Sequence, residues 1–142
     1  MTALIVDAGA LYAQADTDEP EQSAVAAILS AERGTLVTSQ IVVAEADHLI
    51  LRRLGIDVEL AFLDDLASGT FMVDSLTVSE LGIARDVVAR YRDLELGLAD
   101  ASLVVLANRW GTRRILTLDQ RAFRAVTPLQ GGAFEVLPAD SI

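Results

Sequence analysis

Ala3-Leu4-Ile5-Val6-Asp7 followed by Ala8-Gly9-Ala10-Leu11-Tyr12-Ala13-Gln14-Ala15 is the stretch whose reading decides the fold. Four consecutive apolar residues suit a strand buried on both faces, and such strands belong to parallel sheets. Asp7 ends the run, and the next residues read as a helix from about Ala8 to Ala15. Strand, acid, helix is the opening of a βαβ unit, and the rest of the chain repeats the alternation.

Asp16-Thr17-Asp18 reads as a turn. Pro20 is placed for the first turn of the next helix, with Gly34 placed to end it. Leu36–Thr38 reads as a second strand. Thr38 or Ser39 can cap a helix carrying Glu45, which Gly55 separates from another helix over about Val58–Ala67. Thr70–Val73 reads as the third strand, Ser79–Arg92 as an amphipathic helix and Ala99–Trp110 as a buried one. Arg114–Leu118 is the fourth strand, a short helix follows Asp119, and Ala133–Leu137 is the last strand. No repeat, linker or low-complexity segment interrupts this order, so residues 1–142 are expected to form one domain.

The chain has 142 residues, of which 52% are hydrophobic, enough for a real core. No apolar run reaches membrane-spanning length, and the N-terminus lacks the basic region of a signal peptide. The expectation is a cytoplasmic protein without a membrane partner, and the absence of cysteine agrees with it. The net charge of −10 means the overall field does not attract nucleic acid. Any such contact rests on local arginines or a bound cation. All 11 basic residues are arginine, which removes every mechanism that needs a lysine amine.

Four acids stand where a carboxylate is awkward. Asp7 ends a buried strand, and Asp119 follows Ile115-Leu116-Thr117-Leu118. Each has an ordinary reading as a helix cap. Glu45 shares its helical row with Ile41, Val42 and Leu49, leaving it at a core edge or paired, with Arg52 within reach along the helix. Asp100 shares its face with Leu103, Val104 and Ala107. The helix dipole offers it about 0.3–1 kcal/mol, less than the several kcal/mol that burying an unpaired charge costs. A cation or an arginine must be near it. Thr117 is placed to support Asp119 or a water beside it.

Strand ends and helix starts converge in α/β sheets. Four carboxylates in one pocket repel unless one or two Mg²⁺ or Mn²⁺ ions relieve them, and all-oxygen ligands favour these hard cations over zinc. Such a site suits phosphodiester hydrolysis by activated water.

Ile5-Val6-Asp7-Ala8-Gly9-Ala10-Leu11-Tyr12-Ala13, Val43-Ala44-Glu45, Leu98-Ala99-Asp100-Ala101-Ser102 and Leu116-Thr117-Leu118-Asp119-Gln120-Arg121-Ala122-Phe123, in this order, resemble the PIN-domain ribonucleases. The nearest group is the VapC-type toxins of bacterial toxin–antitoxin pairs. The resemblance implies a three-layer Rossmann-like fold, with a parallel sheet ordered 3-2-1-4-5 and helices on both faces. It implies a Mg²⁺- or Mn²⁺-dependent endoribonuclease, a homodimer, and a cognate antitoxin whose segment fills the active-site groove. Asp7, Glu45, Asp100 and Asp119 match the family's acidic positions. Many relatives carry Ser or Thr two residues after the first aspartate, where this chain has Gly9, and this gives Thr117 more weight.

Arg113, Arg114 and Arg121 flank Asp119 and are candidates for RNA phosphate contact, beside a plainer reading as solvated surface. Arg124, Arg52 and Arg53 are weaker candidates. His48, the single histidine, reads as a surface or dimer residue, because water activated by a metal needs no such base. Trp110 and Tyr91 read as core or dimer contacts. A phosphoaspartate enzyme would need a lysine. A PIN-type RNA-processing nuclease outside toxin systems and a catalytically silent PIN-like binding module remain the alternatives.

Overall fold

The computed structural model describes residues 2–141. Five strands form one parallel sheet: β1 (Leu4–Val6), β2 (Leu36–Ser39), β3 (Met72–Asp74), β4 (Arg114–Leu116) and β5 (Glu135–Leu137), in the order β3-β2-β1-β4-β5. Around it pack α1 (Ala8–Ala15), α2 (Gln22–Ala31), α3 (Gln40–Leu54), α4 (Ile56–Ala67), α5 (Val78–Arg90), α6 (Leu98–Arg109) and α7 (Gln120–Ala125). The fold and strand order are those the resemblance implied.

Leu4, Ile5, Val6, Ile115 and Leu116 are fully enclosed, as the continuous apolar runs of central parallel strands require. In α6 every residue from Ala101 to Ala107 is buried. This helix contacts β1, β2, α3 and α5. Among the described residues no helix is long and apolar enough to cross a membrane.

Local chemistry sets the boundaries. Thr77 and Glu80 form a reciprocal cap that starts α5 at Val78, one residue before the expected start. Gly55, at φ 91°, lets α3 turn sharply into α4. Two expectations need correction. Pro20 lies in the turn before α2, whose cap is Glu21. Gly34 does not terminate α2, which ends at Ala31. A Cβ at position 34 would lie 2.2 Å from the Thr2 carbonyl oxygen, so close backbone approach requires the glycine.

Strand order reverses direction between β1 and β4, the neighbours whose connections run to opposite sides of the sheet. A crevice opens at the carboxyl ends of such strands. Asp7 follows β1 directly, and Asp119 lies three residues beyond β4.

Candidate active site

Asp7, Glu45, Asp100 and Asp119 line one cavity of about 460 Å³, together with Gly9, Val42, Ala99 and Leu118. Each acid comes from a different element. Asp7 is the cap of α1: its Oδ1 accepts the Ala10 amide at 2.8 Å. Asp119 caps α7 in the same way, accepting the Ala122 amide at 3.2 Å. Asp100 sits in the first turn of α6, and Glu45 is one turn into α3. For Asp7 and Asp119, the capping role and the place in the cavity coexist, because capping uses one lone pair of a carboxylate that has about four.

Thr117 joins the two strand-end acids. Its hydroxyl donates to Asp7 Oδ2, and its oxygen accepts the Asp119 amide at 2.9 Å. A Cβ at Gly9 would stand 3.6 Å from Asp7 Oδ1, an ordinary contact, so nothing steric reserves that position for glycine.

Asp7 is only 5% exposed, and burial pushes its carboxyl up to about 7. Hydrogen bonds from Thr117 and Ala10 pull the other way, while Asp100 and Asp119 add to the rise. Half-buried Asp100 is pushed up to about 6, first by burial, then by Asp119 and Glu45. Glu45 and Asp119 are exposed at the cavity mouth. Glu45 therefore faces the cavity, not a core edge, and among the described residues it forms no ion pair with Arg52.

Among the described residues no arginine lines this cavity. Arg113 and Arg114 lie at the opposite, amino end of β4. Arg113 Nε donates to the Gly131 carbonyl at 2.6 Å, and Arg114 pairs with Glu32 at 2.7 Å. The structure does not bring either to the acids. Arg121 is exposed in the first turn of α7, two residues from Asp119. Arg124 pairs with Asp140 at 2.5 Å, and Arg53 lies over the Tyr12 ring. His48 is exposed on α3 and does not line the cavity. Trp110 donates to Asp74, and Tyr91 accepts the Thr127 amide; both pack against the core.

The donor set suits a hard divalent cation: four carboxylates, all oxygen, and uncompensated by any base in the cavity. Among the described residues, no three carboxylates stand at coordinating distance of a common point.

Of the two hydroxyls expected to cap the Glu45 helix, Ser39 does so, accepting the Val42 amide at 3.0 Å; the further contacts of these hydroxyls were not expected. Thr38 Oγ1 donates to the Val6 carbonyl at 2.9 Å, and Ser39 Oγ lies 2.8 Å from Ser102 Oγ. Ser102 also carried a signal in the sequence, as a hydroxyl inside an apolar run.

The PIN domain family model matches residues 4–127. The chain is also 44% identical over 135 residues, 95% of its length and 100% of the relative's, to Ribonuclease VapC26 of Mycobacterium tuberculosis. The chain belongs to the PIN-domain family, in its VapC group. Solved structures agree on the fold. This PIN domain superposes on VapC20 of Mycobacterium tuberculosis, a sarcin-ricin loop cleaving toxin, with a TM-score of 0.74 at 18% identity, covering 79% of this chain and 86% of that one. It superposes on VapBC2 of Rickettsia felis, solved with a DNA fragment of its promoter, with a TM-score of 0.68 at 12% identity, covering 94% and 98%.

Proposed function

We propose that this PIN domain is a metal-dependent endoribonuclease and the toxin of a toxin–antitoxin pair, with residues 1–142 acting as one domain in the cytoplasm. The observation that carries the reading is the single cavity in which Asp7 and Asp100 stand uncompensated beside Glu45 and Asp119. The named activity of the 44% identical relative supports it.

Asp7, Asp100, Glu45 and Asp119 would hold Mg²⁺ or Mn²⁺. The ion supplies Lewis-acid activation of water and screens charge on the attacked phosphate. Asp7 gives the fixed floor of the site, since burial, the Ala10 amide and the Thr117 hydroxyl restrict it, and half-buried Asp100 stands beside it. Thr117 keeps Asp7 and Asp119 in register through one hydroxyl. Glu45 and Asp119, exposed at the mouth, would complete the ligand set. Arg121, beside that mouth, is placed to meet an RNA phosphate and to offset the acidic field that otherwise repels the strand. A cognate antitoxin, whose segment fills the groove over the acids, and a second copy of the chain complete the proposed partners. A VapBC complex among the structural relatives supports the first of these.

Inducing the chain in a bacterial host, without its antitoxin, tests the reading as a whole. Growth arrest with newly cleaved RNA ends is expected, with neither effect for Asp7→Asn or Asp100→Asn. RNA ends that persist with Asp100→Asn would remove the carboxylates from the mechanism.

A further inference from the structure

Two links of buried hydroxyls lie behind the four acids, and only one contains a carboxylate. Thr117 ties Asp7 to Asp119. The other link is made of Ser39 and Ser102, both fully enclosed and 63 residues apart in sequence. Ser39 Oγ accepts the Val42 amide at 3.0 Å, which caps α3. Ser102 Oγ lies 2.6 Å from the Ala99 carbonyl and donates to it. Each hydroxyl has one proton. Ser102 uses its own on Ala99, so the proton between the two serines comes from Ser39. The chain thus has one direction: Val42 N–H to Ser39, Ser39 O–H to Ser102, Ser102 O–H to the Ala99 carbonyl.

This chain joins the first turns of the two helices that carry Glu45 and Asp100. Ala99 immediately precedes Asp100, and Val42 is three residues before Glu45. The two carboxylates line one cavity, so like charge works to part α3 from α6 at this end. Gly97 gives α6 no side-chain cap, and the Ser102 hydroxyl instead donates to the Ala99 carbonyl in its first turn. Thr38, donating to the carbonyl just before Asp7, fixes the adjoining strand to the same frame.

We infer that Ser39 and Ser102 are positioning residues that set the separation of Glu45 and Asp100 for a divalent cation, through a directed hydroxyl chain between α3 and α6. The inference rests on the proposed cation site. It assigns to two residues outside the cavity a share in cation affinity that burial alone does not give them.

Titration of Mn²⁺ into the purified full chain, followed by calorimetry and by the loss of the free-ion paramagnetic resonance signal, tests it without RNA. Ser102→Ala and Ser39→Ala are each expected to weaken Mn²⁺ binding about tenfold, the low end for groups that orient ligands. The double variant should bind no worse than the weaker single one, because one missing hydroxyl already interrupts the chain. Ser102→Thr, which keeps the hydroxyl, should bind more tightly than Ser102→Ala. Thr112→Val is the comparator: Thr112 is a buried hydroxyl at the far end of the sheet, donating to Ala3 at 2.7 Å. It should lower the melting temperature and leave Mn²⁺ affinity alone. Unchanged affinity in both serine variants, or equal weakening by Thr112→Val, overturns the positioning role while leaving the cation site standing. Absence of Mn²⁺ binding by the unmodified chain overturns both. Should Ser102→Ala not fold, Ser39→Ala alone carries the same comparison.

Discussion

The two ends of β4 handle charge in opposite ways. At the amino end, Arg114 reaches Glu32 with two hydrogen bonds, of 2.7 and 3.1 Å, and lies 3.8 Å from Glu135. The Arg114 guanidinium holds Glu32 below the usual carboxylate range, and Glu32 raises Arg114 in return. At the carboxyl end, Asp7 and Asp100 are pushed up by burial, and the charges that act on them are carboxylates alone. One end is complete in itself, whereas the other stores repulsion that a cation would relieve. The contrast separates acids that hold the fold from acids we propose to serve chemistry, with both kinds around the same sheet.

The largest effect should come from removing charge at the open end. Asp100→Asn and Asp7→Asn are expected to lower RNA cleavage about a thousandfold, the equivalent of several kcal/mol of lost transition-state stabilisation. Circular dichroism should be unchanged, with a melting temperature as high or higher, because an uncompensated charge leaves the interior. A variant that unfolds would place the acid in the closed class with Glu32.

Next comes the cation itself. Mn²⁺ at about a hundred times its dissociation constant should add about 2.7 kcal/mol of stability, read as a rise in melting temperature that Asp100→Asn abolishes. At the closed end, Glu32→Gln should cost about 1–3 kcal/mol by weakening a charge-assisted pair, with cleavage per folded molecule unchanged. A loss of turnover there would blur the contrast between the two ends.

Per unit of the variable changed, the smallest effect is in the pH dependence of the metal-free protein. Asp7 has a folded value of about 7 against an ordinary 3.8, so between them the native state holds a proton that the unfolded state has released. Stability should therefore fall as pH rises through this window, by less than about 1.4 kcal/mol per pH unit for one proton. Asp7→Asn should flatten the slope in denaturant titrations, and saturating Mn²⁺ should do the same.

Much of this was legible in the residues. The apolar run into Asp7 announced both β1 and α1, because the acid that ends the strand also caps the helix. The acids came in the right order for one pocket, since each falls at a strand end or on a helix near its start. What was not legible depended on direction and on distance through space. Arg113 and Arg114 are close to Asp119 in sequence, but at roughly 3.3 Å per extended residue a strand carries them away from it. Arg114 instead meets Glu32, 82 residues distant. The fourth strand also stopped at Leu116, short of the expected Leu118, and Thr117 turns its hydroxyl to Asp7. Ser39 and Ser102 meet only after α3 and α6 pack, and no periodicity announces a contact across 63 residues.

The most direct test is cleavage of a single-stranded RNA by the purified chain, first stripped with a chelator and then resupplied with Mg²⁺ or Mn²⁺. The account predicts no cleavage in chelator, recovery on adding either ion, and no recovery in Asp100→Asn. Undiminished cleavage in excess chelator would contradict it.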